Sequence, residues 1–84
     1  MYTVYALYSE RHQKIYVGFT SGLEKRILSH NKLATKGWTF RFRPWELVHT
    51  ECFESKAEAI RREKSLKSAR GREFIWGLIR GDAT

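Results

Sequence analysis

Three side chains that could do chemistry lie on helix faces where apolar residues are expected. With about 3.6 residues per turn, a helix over residues 21–33 places Arg26 and His30 one turn apart at its apolar side. A second helix, beginning after Ser55, carries Glu63 inside its apolar stripe. Burying an unpaired charge is costly. Either Arg26 and Glu63 form a salt bridge, or the three polar groups line an active-site cleft where both helices meet a sheet.

Two tyrosines in predicted strands would add phenol groups to that cleft. Residues 2–8 and 15–20 are rich in aromatic and β-branched side chains and predict an antiparallel hairpin carrying Tyr5 and Tyr16. The phenols share a face only if the loop has even length or a bulge intervenes, and we predict one or the other. Gly18, inside the second strand, indicates a bulge or a close backbone approach. The alternative is that both tyrosines are ordinary strand residues with hydroxyls at the rim.

The elements that position these residues predict an α/β (α+β) fold, a small three-stranded antiparallel sheet flanked by helices in the order β-β-α-β-α-α. Thr20 or Ser21 is expected to cap the first helix. Residues 34–44 predict a loop, and residues 45–53 predict the third strand.

The end of the chain predicts two consecutive helices. Ser55 and Glu58 are spaced as a capping box for a helix that ends near residue 68. A break at Gly71 then separates it from a last helix over residues 72–79. The residues expected to pack this last helix on the sheet are Phe74, Ile75, Leu78 and Ile79.

Length and composition indicate one domain over residues 1–84, which is 42% hydrophobic and 30% charged, as globular domains usually are. The one cysteine, Cys52, excludes an internal disulfide, and its strand-like surroundings predict a core residue. The first ten residues do not resemble a signal peptide, and no apolar run could span a bilayer. We therefore expect a cytoplasmic protein that makes no contact with a membrane.

The charge predicts an acidic partner. Lysine and arginine number 16 against 9 acidic residues, a net charge of +7, and the commonest partner of such a surface is nucleic acid. In "WTFRFR", residues 38–43, aromatic side chains alternate with polar ones, which suits stacked bases beside phosphates on single-stranded or branched nucleic acid. The alternative is that the aromatic residues cover the core while the arginines are solvated. The predicted nucleic-acid contacts are Lys32, Lys36, Arg41, Arg43, Lys67, Arg70 and Arg72.

Two short motifs, "TVY" at residues 3–5 and "YVG" at residues 16–18, precede the helix with Arg26 and His30 and the later helix with Glu63. In this order and spacing they resemble the GIY-YIG nuclease domain over residues 2–79. The stretches "YVGFTSGLEKRILSHN" and "FESKAEAIRREKSLKSARGREFI" resemble the small stand-alone bacterial members in particular.

The resemblance implies cleavage of phosphodiester bonds with one divalent metal ion, Mg²⁺ or Mn²⁺. Tyr5 and Tyr16 match the two motif tyrosines, and Tyr5 is favoured as the group that positions or deprotonates the attacking water. Arg26 matches the family arginine that stabilises the phosphate, and Glu63 matches the glutamate that holds the metal. His30 matches the family position one turn after that arginine. This sequence departs from the family in having Thr3 in place of the first glycine. It also has Phe19 where some repair members carry a lysine.

The resemblance therefore implies a metal-dependent endonuclease that hydrolyses DNA, favoured over RNA, in a process such as DNA repair. Branched, nicked and single-stranded substrates all stay open, as does a partner protein that supplies specificity. One alternative is a nucleic-acid-binding module of the same fold with weak or no catalysis. Another is an interaction module that docks on an acidic protein.

Overall fold

The sheet has three antiparallel strands, as predicted. The structure, a computed structural model, describes residues 1–33 and 37–81. Strands β1 (Tyr2–Ser9), β2 (Lys14–Thr20) and β3 (Glu46–Phe53) lie in the order β2-β1-β3. The middle of β1, from Val4 to Leu7, is fully buried because this strand is central and covered on both faces.

The register of the hairpin places Tyr5 and Tyr16 on one face of the sheet, as predicted for a loop of even length. Tyr5 faces Gly18 and Leu7 faces Tyr16, and facing residues share a side of the sheet. The pair Ser9–Lys14 closes the ladder, so residues 10–13 form a loop of even length. The ladder between β1 and β2 runs without a register shift, and the irregularity of the sheet lies between β1 and β3 instead. The loop, and not a bulge near Gly18, aligns the phenols.

The first predicted helix exists but changes its winding halfway. Helix α1 (Leu23–Leu28) continues as a π-helical segment, Ser29–Leu33. Its N-cap is Gly22, without a side-chain bond, so the prediction of a Thr20 or Ser21 cap was wrong. Thr20 Oγ1 instead accepts a hydrogen bond from the Gly22 amide. A short helix α2 (Trp38–Arg41) lies in the segment predicted as a loop.

Helices α3 (Lys56–Lys67) and α4 (Ala69–Arg80) follow the last strand. Ser55 caps α3, its Oγ accepting from the Glu58 amide at 3.1 Å, as predicted. The predicted break at Gly71 was wrong, because Ser68 ends α3 and caps α4. Gly71 lies in the first turn of α4, where a Cβ would meet the Ser65 carbonyl oxygen at 2.3 Å. This glycine therefore permits a close approach between two helices.

Each face of the sheet has its own apolar cluster. One contains the buried side chains of Val4, Ala6, Ile15, Val17, Ala59, Leu66 and Ile75. The other contains Tyr5, Leu7 and Trp45, and the partly buried residues packed against it are Tyr16, Leu23, Ile27 and Phe42. Helix α1 therefore covers the face that carries the phenols.

Two predictions of core residues were wrong. Phe74 is 40% exposed and contacts the His49 ring, whereas Ile75 is fully buried and Leu78 and Ile79 pack against the core. Cys52 is exposed on the face of the sheet that carries the phenols, where it pairs with Thr3, and its Sγ lies 3.7 Å from Thr3 Oγ1. Within residues 1–33 and 37–81, no helix has the length and apolar character that crossing a membrane requires.

Candidate active site

The centre of the site is a buried hydrogen bond between β1 and the π-helical turn. The Tyr5 hydroxyl lies 3.0 Å from His30 Nε2. Tyr5 is fully buried, and His30 is only 4% exposed. Gly18 makes room for the phenol, because a Cβ there would lie 2.7 Å from the Tyr5 hydroxyl. The predicted close approach at Gly18 is therefore that of the Tyr5 side chain.

Tyr16 and Arg26 complete one side of this centre. The Tyr16 ring centroid lies 6.2 Å from that of Tyr5 and 4.8 Å from that of His30. Arg26 is exposed, and its interaction with the Tyr5 phenol, followed by a weaker one with Tyr16, raises the pKa of its guanidinium. Tyr16 is half-buried where Tyr5 is fully buried, so solvent reaches the Tyr16 phenol more readily.

Burial and nearby charges keep the central pair neutral. Burial raises the pKa of Tyr5, Arg26 partly offsets this effect, and the charges of Tyr16 and, to a smaller extent, Glu63 raise the pKa further. Burial also lowers the pKa of His30, and the positive charge of Arg26 lowers it further. At neutral pH the hydrogen bond therefore joins an uncharged phenol to an uncharged imidazole.

Glu63 reaches this centre electrostatically from α3. Its side chain is 17% exposed, and Lys67 Nζ lies 3.6 Å from its carboxylate. In the described part of the chain, Glu63 and Arg26 form no ion pair, so the salt-bridge alternative was wrong. The ion pair that joins α3 to the sheet is Arg62 with Glu51, at 2.9 Å. Partial burial raises the pKa of Glu51, but hydrogen bonds from Arg62 and His49 outweigh this and lower it.

A single carboxylate at the site fits a hard divalent cation better than a structural metal. Among the described residues, no group of three or more His, Cys, Asp or Glu side chains could hold a metal ion. Mg²⁺ keeps several waters and often uses one or two protein carboxylates together with substrate oxygens. Glu63, half-buried beside one lysine, is suited to be such a ligand.

The predicted basic contacts differ in how freely they can reach a ligand. Arg41 is exposed, with its guanidinium carbon 5.6 Å from the Phe42 ring centroid. Arg43 is half-buried, donates from Nη1 to the Asn31 carbonyl at 2.8 Å and stacks over Phe40 at 4.3 Å. Lys36 lies outside the described residues. The remaining predicted basic contacts all have exposed side chains, and they are Lys32, Lys67, Arg70 and Arg72.

The predicted alternation of aromatic and basic residues was wrong, because residues 38–41 are helical. Trp38 and Phe42 are one turn apart, with ring centroids 4.8 Å apart. Sequence reasoning also missed a clamp between Asn31 and Trp45. The Trp45 amide donates to Asn31 Oδ1 at 2.6 Å, and Asn31 Nδ2 donates to the Trp45 carbonyl at 3.0 Å. The signal for this clamp in the sequence was the side-chain amide of Asn31, which directly follows His30.

Comparison with known proteins identifies the family of this chain. The family model described as the GIY-YIG catalytic domain matches residues 1–75. Because the match covers most of the chain, the chain belongs to the GIY-YIG family, whose members are generally endonucleases. The small sheet and its flanking helices are therefore those of a nuclease fold.

The similar proteins include small microbial ones. A UPF0213 protein of Natronomonas pharaonis is 40% identical over 56 residues, which is 67% of this chain and 66% of that protein. One of Staphylococcus saprophyticus is 39% identical over 54 residues, or 64% of this chain and 66% of that protein. In both, the match spans slightly less than two thirds of the relative's own length. The solution NMR structure of a UPF0213 protein from Bacillus halodurans is 33% identical, covers 93% of this chain and 85% of that one, and has a TM-score of 0.55.

Replacing Gly18 by alanine is expected to destabilise the domain by about 1–3 kcal/mol, because the new methyl group overlaps the buried Tyr5 phenol. Gly22→Ala is the matched control, since a Cβ there meets nothing within 4 Å. We expect that control to change stability by about 0.5 kcal/mol or less. Chemical denaturation of both variants measures the difference, and equal values would contradict the packing described for Tyr5.

Stability should fall as the pH drops below about 6.5, the ordinary pKa of His30. The folded-state pKa of His30 lies below that value, so the unfolded chain takes up the proton first and protonation favours unfolding. Denaturation at about pH 7.5 and pH 5.0 measures the loss. We expect a smaller loss in His30→Gln and an unchanged loss in the control His12→Gln. A His30→Gln variant with the same pH dependence as the native protein would contradict this assignment.

Proposed function

We propose that this protein is a metal-dependent endonuclease that hydrolyses phosphodiester bonds in DNA. The observation that carries the proposal is the buried hydrogen bond of Tyr5 with His30, beside the exposed guanidinium of Arg26. A purely structural site would not need a cation next to two phenols and a half-buried carboxylate without an arginine partner.

Arg26 is the group that meets the phosphate. Hydrolysis builds negative charge on the non-bridging oxygens, and a guanidinium offers them a fixed fork of donors. Arg26 is exposed, so an incoming phosphate can reach it, while its contacts with the phenols hold it at the site.

The two phenols have different tasks in this proposal. Tyr16, which solvent reaches more readily, orients the attacking water, and the positive charge of Arg26 stabilises charge that develops on its oxygen. Tyr5 and His30 form the buried support that keeps Arg26 and Tyr16 in place. This reverses the order favoured from sequence, in which Tyr5 met the water, because Tyr5 is fully buried.

Glu63 would hold the divalent ion, Mg²⁺ or Mn²⁺, as its protein ligand. When bound, such an ion supplies positive charge that polarises the phosphate and its bound water. In this proposal Lys67, which is half exposed and lies 3.6 Å from Glu63, contacts the DNA backbone near the metal ion. The other proposed backbone contacts are Lys32, Lys36, Arg41, Arg43, Arg70 and Arg72.

The test is a cleavage assay on end-labelled duplex, single-stranded, flap and branched DNA, with RNA of the same sequence alongside. Each substrate is incubated with Mg²⁺, Mn²⁺ or EDTA, and Glu63→Ala, purified in parallel, controls for contaminating nucleases. We expect cleavage of DNA that needs the metal and is lost in the variant. DNA binding without cleavage above the variant would overturn the proposal in favour of a binding module of the same fold. Preferential cleavage of RNA would overturn the assignment of DNA.

A further inference from the structure

An exposed tryptophan stands next to the candidate catalytic tyrosine. Trp38 is 46% exposed, and its ring centroid lies 6.3 Å from that of Tyr16 with an interplanar angle of 32°. In the same cluster, the Trp38 ring centroid lies 5.7 Å from that of Trp45, with an interplanar angle of 30°, and 4.8 Å from that of Phe42. The proposed water-orienting phenol and an exposed indole therefore belong to one continuous aromatic group.

This indole rests on a rigid support. Trp45 is 4% exposed, and its Nε1–H donates to the Thr39 carbonyl of α2 at 2.8 Å. The clamp between Asn31 and the Trp45 backbone joins that support to the residue that follows His30. Trp38 is therefore held relative to the site, which lowers the entropic cost of using it for binding.

The surroundings of Trp38 favour a polyanion as the molecule that covers it. Residues 37–45 contain Arg41 and Arg43 and no acidic residue. Both guanidinium groups lie over phenylalanine rings of this segment, at 5.6 Å from Phe42 and 4.3 Å from Phe40. An exposed aromatic surface bordered by arginines is how proteins bind single-stranded nucleic acid, by stacking bases and contacting phosphates.

We propose that Trp38 stacks on an unpaired base next to the phosphate that is cleaved. This inference rests on the proposed function and narrows its substrate class to DNA with a single-stranded nucleotide at the cut. In a continuous duplex both faces of each base are covered by neighbouring pairs, so such a base cannot reach the indole without leaving the stack. Stacking also tolerates any base, so Trp38 selects strand structure and not sequence.

The experiment measures binding without catalysis. Fluorescence anisotropy in EDTA follows a labelled 12-nucleotide oligothymidylate and a blunt 12-base-pair duplex. The proteins are the native chain, Trp38→Ala, Trp38→Phe and Phe74→Ala. Phe74 is the matched control because it is a similarly exposed aromatic residue, 40%, that contacts His49 on the other face of the sheet. Thermal melting of each variant confirms that it is folded.

For Trp38→Ala we expect affinity for the oligothymidylate to fall by about 5- to 150-fold, the range that loss of one stacked base produces. Trp38→Phe should lose less than about 3-fold, since a phenyl ring still stacks. Phe74→Ala should bind like the native protein, and duplex affinity should be the same in all four. An equal loss on duplex and single strand, or no loss on the single strand, would overturn the proposal.

The result is separable from the proposed function. Trp38-dependent binding of single strands without any metal-dependent cleavage would support the stacking site and overturn the endonuclease. Cleavage that needs metal and Glu63, with single-strand binding unaffected in Trp38→Ala, would support the endonuclease and overturn the stacking site.

Discussion

Replacing Glu63 by glutamine is expected to lower the rate of metal-dependent cleavage by about 10²–10⁴-fold, since the metal contributes several kcal/mol of charge stabilisation. Glutamine keeps the shape of the side chain and removes the negative charge that a hard cation needs. The fold should survive, because the ion pair of Glu63 with half-exposed Lys67 is a long one, 3.6 Å. Pairs of this kind contribute about 0–1 kcal/mol.

Single-turnover rates over a Mn²⁺ titration measure this effect. A variant that binds the metal weakly should need a higher concentration for half-maximal rate and should recover part of its activity there. Glu58→Gln is the matched control, an exposed acidic residue on the same helix whose backbone amide, and not its carboxylate, makes the cap. If Glu63→Gln cleaved at the native rate at every metal concentration, Glu63 would not be the metal ligand.

The strands were predictable because alternation is a local property of the sequence. Tyr5 and Tyr16 fall on one face as soon as the loop over residues 10–13 has even length. Short aromatic segments are different. The "WTFRFR" stretch alternates like a strand, yet residues 38–41 are helical, and Trp38 contacts the rings of both Phe42 and Trp45. That choice depends on a residue outside the stretch, which a local pattern does not contain.

The polar anomalies on the two helices identified the candidate site, but not its arrangement. Periodicity put Arg26, His30 and Glu63 on core-facing sides, and the structure buries His30 as expected. The hydrogen bond of His30 with Tyr5 joins residues 25 positions apart, and the clamp of Asn31 with Trp45 joins residues 14 apart. The winding also changes at Ser29–Leu33, where a π-helical segment continues helix α1 and alters the phase of His30 and Asn31. None of these follows from a constant helical period.

Two glycines also show what a local sequence pattern does not predict. Gly18 and Gly71 both interrupt a pattern; Gly18 was predicted to mark a bulge or a close backbone approach, and Gly71 a break between two helices. Each instead admits a neighbour, the Tyr5 phenol in one case and the α3 backbone in the other. A sequence reveals that a side chain is missing, but the atom that occupies the space comes from elsewhere in the chain.

Arg26→Ala is expected to lower the cleavage rate by about 10²–10³-fold, the usual effect of removing one donor that stabilises transition-state charge. Arg26→Lys should recover only a small part of this, because an ammonium group lacks the planar fork that meets two phosphate oxygens. Stability should change little, since the side chain is exposed. Lys25→Ala, an exposed cation one position earlier, controls for the loss of a positive charge near the DNA.

The same substitution should alter how the site titrates. Burial lowers the pKa of His30 most and the charge of Arg26 lowers it further, so Arg26→Ala should raise that pKa while Lys25→Ala leaves it unchanged. NMR titration of the imidazole resonances measures the shift, independently of cleavage. A cleavage defect without the shift would mean that Arg26 acts on the DNA without being held beside the buried pair. A shift without the defect would make Arg26 a support for Tyr5 and His30, and the phosphate would need another cation.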